Sequence, residues 1–162
     1  MKIRSNDSNL PYKTTTKTPL DSKRDIDGEL ARYGIKRTAW IWDIDNFHEV
    51  VLQFQFSERF QEIEINPVVV LKPPLIWKVN RRGKPDEIDA RMSMRLFFWY
   101  IKNALAWSYA NQSERVVAFL SYVQVTKSKT LKDIVLPRLE ELKQFEALPD
   151  RSNENLKVLE HE

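Results

Sequence analysis

The sequence predicts an α+β fold: an antiparallel three- to four-stranded meander packed on a long central helix, with a further C-terminal helix. Three observations predict it. Residues 40–65 alternate apolar and polar side chains with a period of two, residues 86–111 run without proline or glycine, and apolar residues recur at helical spacing after Thr130. At 162 residues the chain has the length of one ordinary domain with a core of its own.

Residues 1–22 are polar, show no helical or strand period and carry Pro11 and Pro19, so they are expected to form a mobile basic arm. The folded domain is expected over residues 23–148. It opens with a short helix over residues 25–33, acidic in its first turn and stopped by Gly34. Trp40, Trp42 and Ile44 alternate with polar and apolar neighbours to give a first strand. Val50, Leu52, Phe54 and Phe56 give a second, and Gln61, Ile63 and Ile65 a third. Such a meander keeps one face on the core and one in water. The run Val68–Leu71 offers a fourth strand, which Pro67, Pro73 and Pro74 confine to the sheet border.

Asn80 to Pro85 reads as an exposed basic loop. Pro85, Asp86 and Glu87 then suit the start of a helix running to about residue 111. Its middle, Leu96 to Ile101, is apolar almost all round and must be covered on more than one side. Residues 116–125 fit either a helical turn or a strand. Thr130 and Asp133 have the spacing of a cap for a last helix carrying Leu131, Ile134, Val135, Leu139, Leu142 and Phe145. Residues 149–162 are expected to be a flexible acidic tail.

Composition removes several kinds of chemistry. Without cysteine there are no disulfides, zinc thiolates or cysteine nucleophiles, and the expected setting is a reducing cytoplasm, that of a host cell. Three glycines leave no phosphate-cradling loop, and two histidines are too few for a histidine metal cage. No segment has the roughly 20 apolar residues that cross a bilayer, so no membrane partner is expected. No cofactor is expected, and an enzyme is the minority reading.

The formal charge of +3 conceals an uneven distribution. Residues 67–132 carry twelve basic and four acidic side chains, whereas residues 25–66 carry four basic and nine acidic ones. On the long helix Arg91, Arg95 and Lys102 fall within about 40° of one another, with Phe98 and Tyr109 beside them. Lys72, Lys78, Arg81, Arg82 and Lys84 surround Trp77 just before it. Cations that neutralise phosphates beside rings that stack on unpaired bases suit single-stranded nucleic acid. The same cations equally suit a solvated helix flank, or pairing with carboxylates such as Glu62 and Glu64.

A separate pair, Asp43 and Asp45, stands at a spacing of two with His48 and Glu49 beyond. On a strand both carboxylates would share a face and could hold a divalent metal, as in a nuclease or nucleotidyl transferase. The run Trp42-Asp43-Ile44-Asp45 resembles the hydrophobic-Asp-hydrophobic-Asp strand of primase and polymerase-like folds. The bland alternative is a hairpin turn, where aspartate and asparagine are common.

The order Ala31-Arg-Tyr-Gly-Ile35, Val51-Leu-Gln-Phe-Gln-Phe56, Ile101-Lys-Asn-Ala-Leu105, Ala118-Phe-Leu-Ser-Tyr122 and Thr130-Leu resembles small bacteriophage- and prophage-encoded proteins across about residues 25–148. Those proteins have no assigned activity, so the resemblance implies a phage setting and no catalytic residues. The element order is also similar to that of the Rad52-like single-strand annealing proteins, which implies an oligomer with a basic DNA groove. Together these features lead to the expectation of a non-enzymatic accessory protein of phage replication or recombination that binds nucleic acid, with single-stranded DNA favoured. The alternative is a phage structural or host-interaction protein, a homo-oligomer included, that works through protein–protein contacts.

Overall fold

A computed structural model describes residues 2–60, 62–79, 86–111 and 115–141, and its fold is α+β. Helix α1 (Pro19–Arg32) opens on a reciprocal cap. Asp21 N donates to Thr18 Oγ1 at 3.1 Å and Thr18 N donates to an Asp21 carboxylate oxygen at 3.1 Å, with Pro19 at the first helical position. The helix therefore starts six residues before the expected Asp25. The Thr-Pro-x-Asp pattern overrides the low apolar content that suggested an arm. Gly34, at φ 78°, ends it in the left-handed conformation that a side chain would strain.

The central sheet contains β2 (Arg37–Ile41), β3 (Val51–Gln55) and β6 (Val68–Leu71), antiparallel in the order β2-β3-β6. Its register places Trp40 opposite Leu52, Leu52 opposite Leu71 and Phe54 opposite Val69. Those residues share the inner face. The third strand of this sheet is thus Val68–Leu71, and not residues 61–65. The latter stretch contributes β5 (Ile63–Ile65), which pairs only with β4 (Glu58–Phe60) in a separate hairpin. Pro67 sits just outside β6, and β6 lies at the sheet border, where a missing backbone donor is tolerated.

The expected arm is also placed differently. Strand β1 (Ile3–Arg4) pairs in parallel with β7 (Ile76–Trp77), and the ring of Tyr12 stacks on Trp99 at 5.3 Å with the planes 7° apart. On the other side of β7, Ile88 bridges Trp77 and Lys78 N donates to Glu87 O at 2.8 Å. This extended pairing holds residues 86–88 out of the helix. Helix α2 (Ala90–Ala110) accordingly begins later than Pro85, with Asp89 as its cap to Met92 N.

After α2 come α3 (Arg115–Ala118), a 3-10 turn at Leu120–Tyr122 and α4 (Leu131–Glu141). The undecided stretch 116–125 is helical first and extended only at its end, where Val123 bridges Val69. Thr130 and Asp133 cap α4 as their spacing predicts: Thr130 N donates to Asp133 Oδ2 at 2.9 Å. Leu142, Phe145 and the tail 149–162 lie outside the described residues. The core joins Ile26 and Leu30 of α1, Leu52, Phe54, Val69 and Leu71 of the sheet, Met94, Phe97, Ile101 and Leu105 of α2, and Phe119.

Candidate functional surfaces

The cations of α2 divide between two environments. Arg95 and Lys102 face α1, whose Asp25 and Glu29 are one turn apart on the opposing side. Arg95 Nη1 meets Asp25 Oδ2 at 2.9 Å, and Lys102 Nζ lies 3.7 Å from Glu29 Oε1. Lys17 adds a second cation to Asp25 at 3.3 Å. The side chain of Arg95 is only 16% exposed. These two groups tie helix to helix, and their charge is met by carboxylates of α1 where the expectation named Glu62 and Glu64.

Phe98 is buried, packed under Arg95 at 4.3 Å and beside Trp99, so it offers no face to a base. Its assignment as a stacking residue is corrected on that ground. Trp77 is half-buried, with Lys2 Nζ 4.4 Å above its ring and His48 5.9 Å away. Lys78 pairs with Glu87 at 2.8 Å. Arg91 is exposed, and it shares a groove of about 360 Å³ with Lys13, Lys78 and Asp89. Arg81, Arg82 and Lys84 lie outside the described residues.

The aspartate pair does not sit on a strand. Strand β2 ends at Ile41, and Asp43 Oδ1 accepts from Asp45 N at 3.0 Å and Asn46 N at 2.9 Å. Asp43 therefore builds the turn, and the two carboxylates have no strand to align them for a metal. Among the described residues no group of three or more His, Cys, Asp or Glu could hold an ion.

A different surface was not singled out by charge or motif. Trp107 is 70% exposed near the end of α2, and Tyr100, seven residues earlier and 20° away on the helix, is 40% exposed. Tyr100 stands edge-on to Phe119 at 6.4 Å and Tyr122 at 6.2 Å, so the segment after α2 packs beside this flank. That segment exposes Val117 and Leu120. Burial, followed by the neighbouring Tyr122, pushes the Tyr100 phenol up to about 12. A helical wheel of residues 90–110 could have found the flank, since Tyr100 and Trp107 lie opposite the Met94–Ile101–Leu105 core stripe or at its margin. Among the described residues no helix is long and apolar enough to cross a membrane. No protein-family model, curated protein or solved structure matches the chain.

Proposed function

We propose that the protein is a non-enzymatic interaction protein that assembles with copies of itself through the Tyr100–Trp107 flank of α2. The exposed Trp107 carries this reading. Tryptophan and tyrosine are enriched among the few residues that carry most of the binding energy at interfaces, because a large rigid ring is desolvated at little cost in side-chain entropy. Val117 and Leu120 extend the apolar surface, and a face present on every copy can meet itself across a two-fold axis. A formal charge of +3 sets little self-repulsion against association. A bacteriophage accessory setting belongs to the same proposal.

The test is molar mass by light scattering over a concentration series, with and without a single-stranded oligonucleotide. The reading expects a dimer or larger assembly that ignores the oligonucleotide and reverts to monomer on Trp107→Lys. A wild-type chain that stays monomeric at every concentration would remove it.

One observation favours nucleic-acid binding as a second reading: Lys78 and Arg91 share their groove with Lys13 of the N-terminal segment. Fluorescence anisotropy of single-stranded DNA over a salt series tests it. Steep loss of affinity with salt, and a lower slope for Arg91→Ala, are expected. Absence of binding at low salt counts against it.

A further inference from the structure

On the other side of α2, towards α1, a cleft of about 510 Å³ is lined by Arg32, Tyr33, Glu58, Leu105, Ser108 and Tyr109, with Arg115 closing it. We infer that this cleft binds an aromatic ring bearing a carboxylate. Its floor is apolar at Leu105, which is buried. Tyr33 and Tyr109 stand edge to face with centroids 6.1 Å apart, and Tyr109 is 77% exposed, so its ring surface is open to stacking by an entering ring.

The charged groups divide into spent and available. Arg115 donates to Tyr33 O at 3.0 Å and to Ser57 O at 2.9 Å. The Glu58 carboxylate accepts from Arg115 N at 2.7 Å and Val116 N at 2.8 Å, so the two walls are fixed and satisfied. Arg32 is different. Its guanidinium is largely exposed, and its ion-pair contact to Glu29 is a loose 3.9 Å. It can turn to a ligand carboxylate as a two-pronged donor. Two arginines against Glu58 leave one positive charge in the cleft, which matches one carboxylate and leaves the second charge of a phosphate monoester without a partner. A concave apolar floor with few oriented polar groups is the usual form of a small-ligand site.

The inference stands apart from self-assembly, which uses the opposite flank at Trp107, so either can fail alone. Two sources share the ligand chemistry: the C-terminal aromatic residue of a protein chain and a free aromatic acid. The experiment is an NMR titration of the full chain with N-acetyltryptophan, phenylacetate and, as the neutral control, N-acetyltryptophan amide. Amide shifts confined to Tyr33, Leu105, Ser108 and Tyr109 are expected, with N-acetyltryptophan at least tenfold tighter than its amide. Arg32→Gln should abolish that tenfold difference, and Tyr109→Ala, at an exposed position, should weaken all three probes. Tight phenylacetate binding identifies a free acid as the source, and preference for N-acetyltryptophan identifies a chain terminus. Equal binding of acid and amide, shifts elsewhere, or no shift at about 10 mM probe would overturn the inference.

Discussion

Arg115 joins more of the backbone than any residue of the α2 stripe. One guanidinium bonds the carbonyls of Tyr33 and Ser57, lies 5.1 Å above the Phe56 ring and stands 3.7 Å from Glu58. Replacing it leaves two carbonyls short of a donor and a nearly buried carboxylate, still held by the backbone N–H groups of residues 115 and 116, without its counter-charge. Arg115→Ala is predicted to lower stability by about 2–3 kcal/mol in urea unfolding, and a loss within error of zero would contradict that role. The Arg95–Asp25 pair belongs to the same scale. It is partly buried, and a double-mutant cycle with Asp25→Ala and Arg95→Ala should show a coupling of about 1 kcal/mol. The sequence placed Arg91, Arg95 and Lys102 on one side of a helix, because 100° per residue fixes that much. It could not show that Asp25 and Glu29, about 70 residues away, would stand opposite two of the three. Charge pairing across elements depends on packing, and periodicity within one element carries no record of it.

Elements were legible where the local signal is strong. The Thr130–Asp133 cap, the Gly34 stop and the long proline-free helix all follow from rules that act within a few residues. The meander was recovered in part. Residues 61–65 and 68–71 both fit strands, and which of them joins β3 is decided by Val69 and Leu71 reaching the inner face beside Phe54 and Leu52. That is a long-range choice. Phe119, buried against Phe54 at 5.3 Å, closes this sheet, so Phe119→Ala should lower stability by about 3–5 kcal/mol in the same unfolding assay.

Two titrations test the element contacts. Tyr100 has its folded pKa raised to about 12 from an ordinary value near 10, so the fold favours the neutral phenol. Its contribution is complete below about pH 10 and is lost as pH rises towards 12, and Tyr100→Phe should reduce the fall in melting temperature over that alkaline range. At the acid end, the Thr18 hydrogen bonds hold Asp21 below the usual carboxylate range, and the Lys2 hydrogen bond does the same for Asp86. Those contributions are present above about pH 4 and are lost as pH falls through the lowered values. Removing residues 2–5, which takes away Lys2 and β1, should therefore flatten the acid limb of melting temperature against pH; an unchanged limb would show that the arm contacts do not persist in solution.

Over the whole molecule, α2 divides the surface. One flank meets α1 through ion pairs, and the core stripe meets the sheet. The Tyr100–Trp107 flank meets the short segment after the helix through Phe119 and Tyr122. The uneven charge distribution along the chain is consumed in part by contacts between α1 and α2, where Asp25 and Glu29 meet Arg95 and Lys102. On this flank Tyr100 is partly used by packing against Phe119 and Tyr122, while Trp107 stands 70% exposed.

The most direct measurement is the molar mass of the wild-type chain and of Trp107→Lys by light scattering, across concentration and with single-stranded DNA added. Self-assembly predicts a dimer or larger species for the wild type, unaffected by DNA, and a monomer for the variant. A monomeric wild type, or an assembly that forms only when DNA is present, would contradict it.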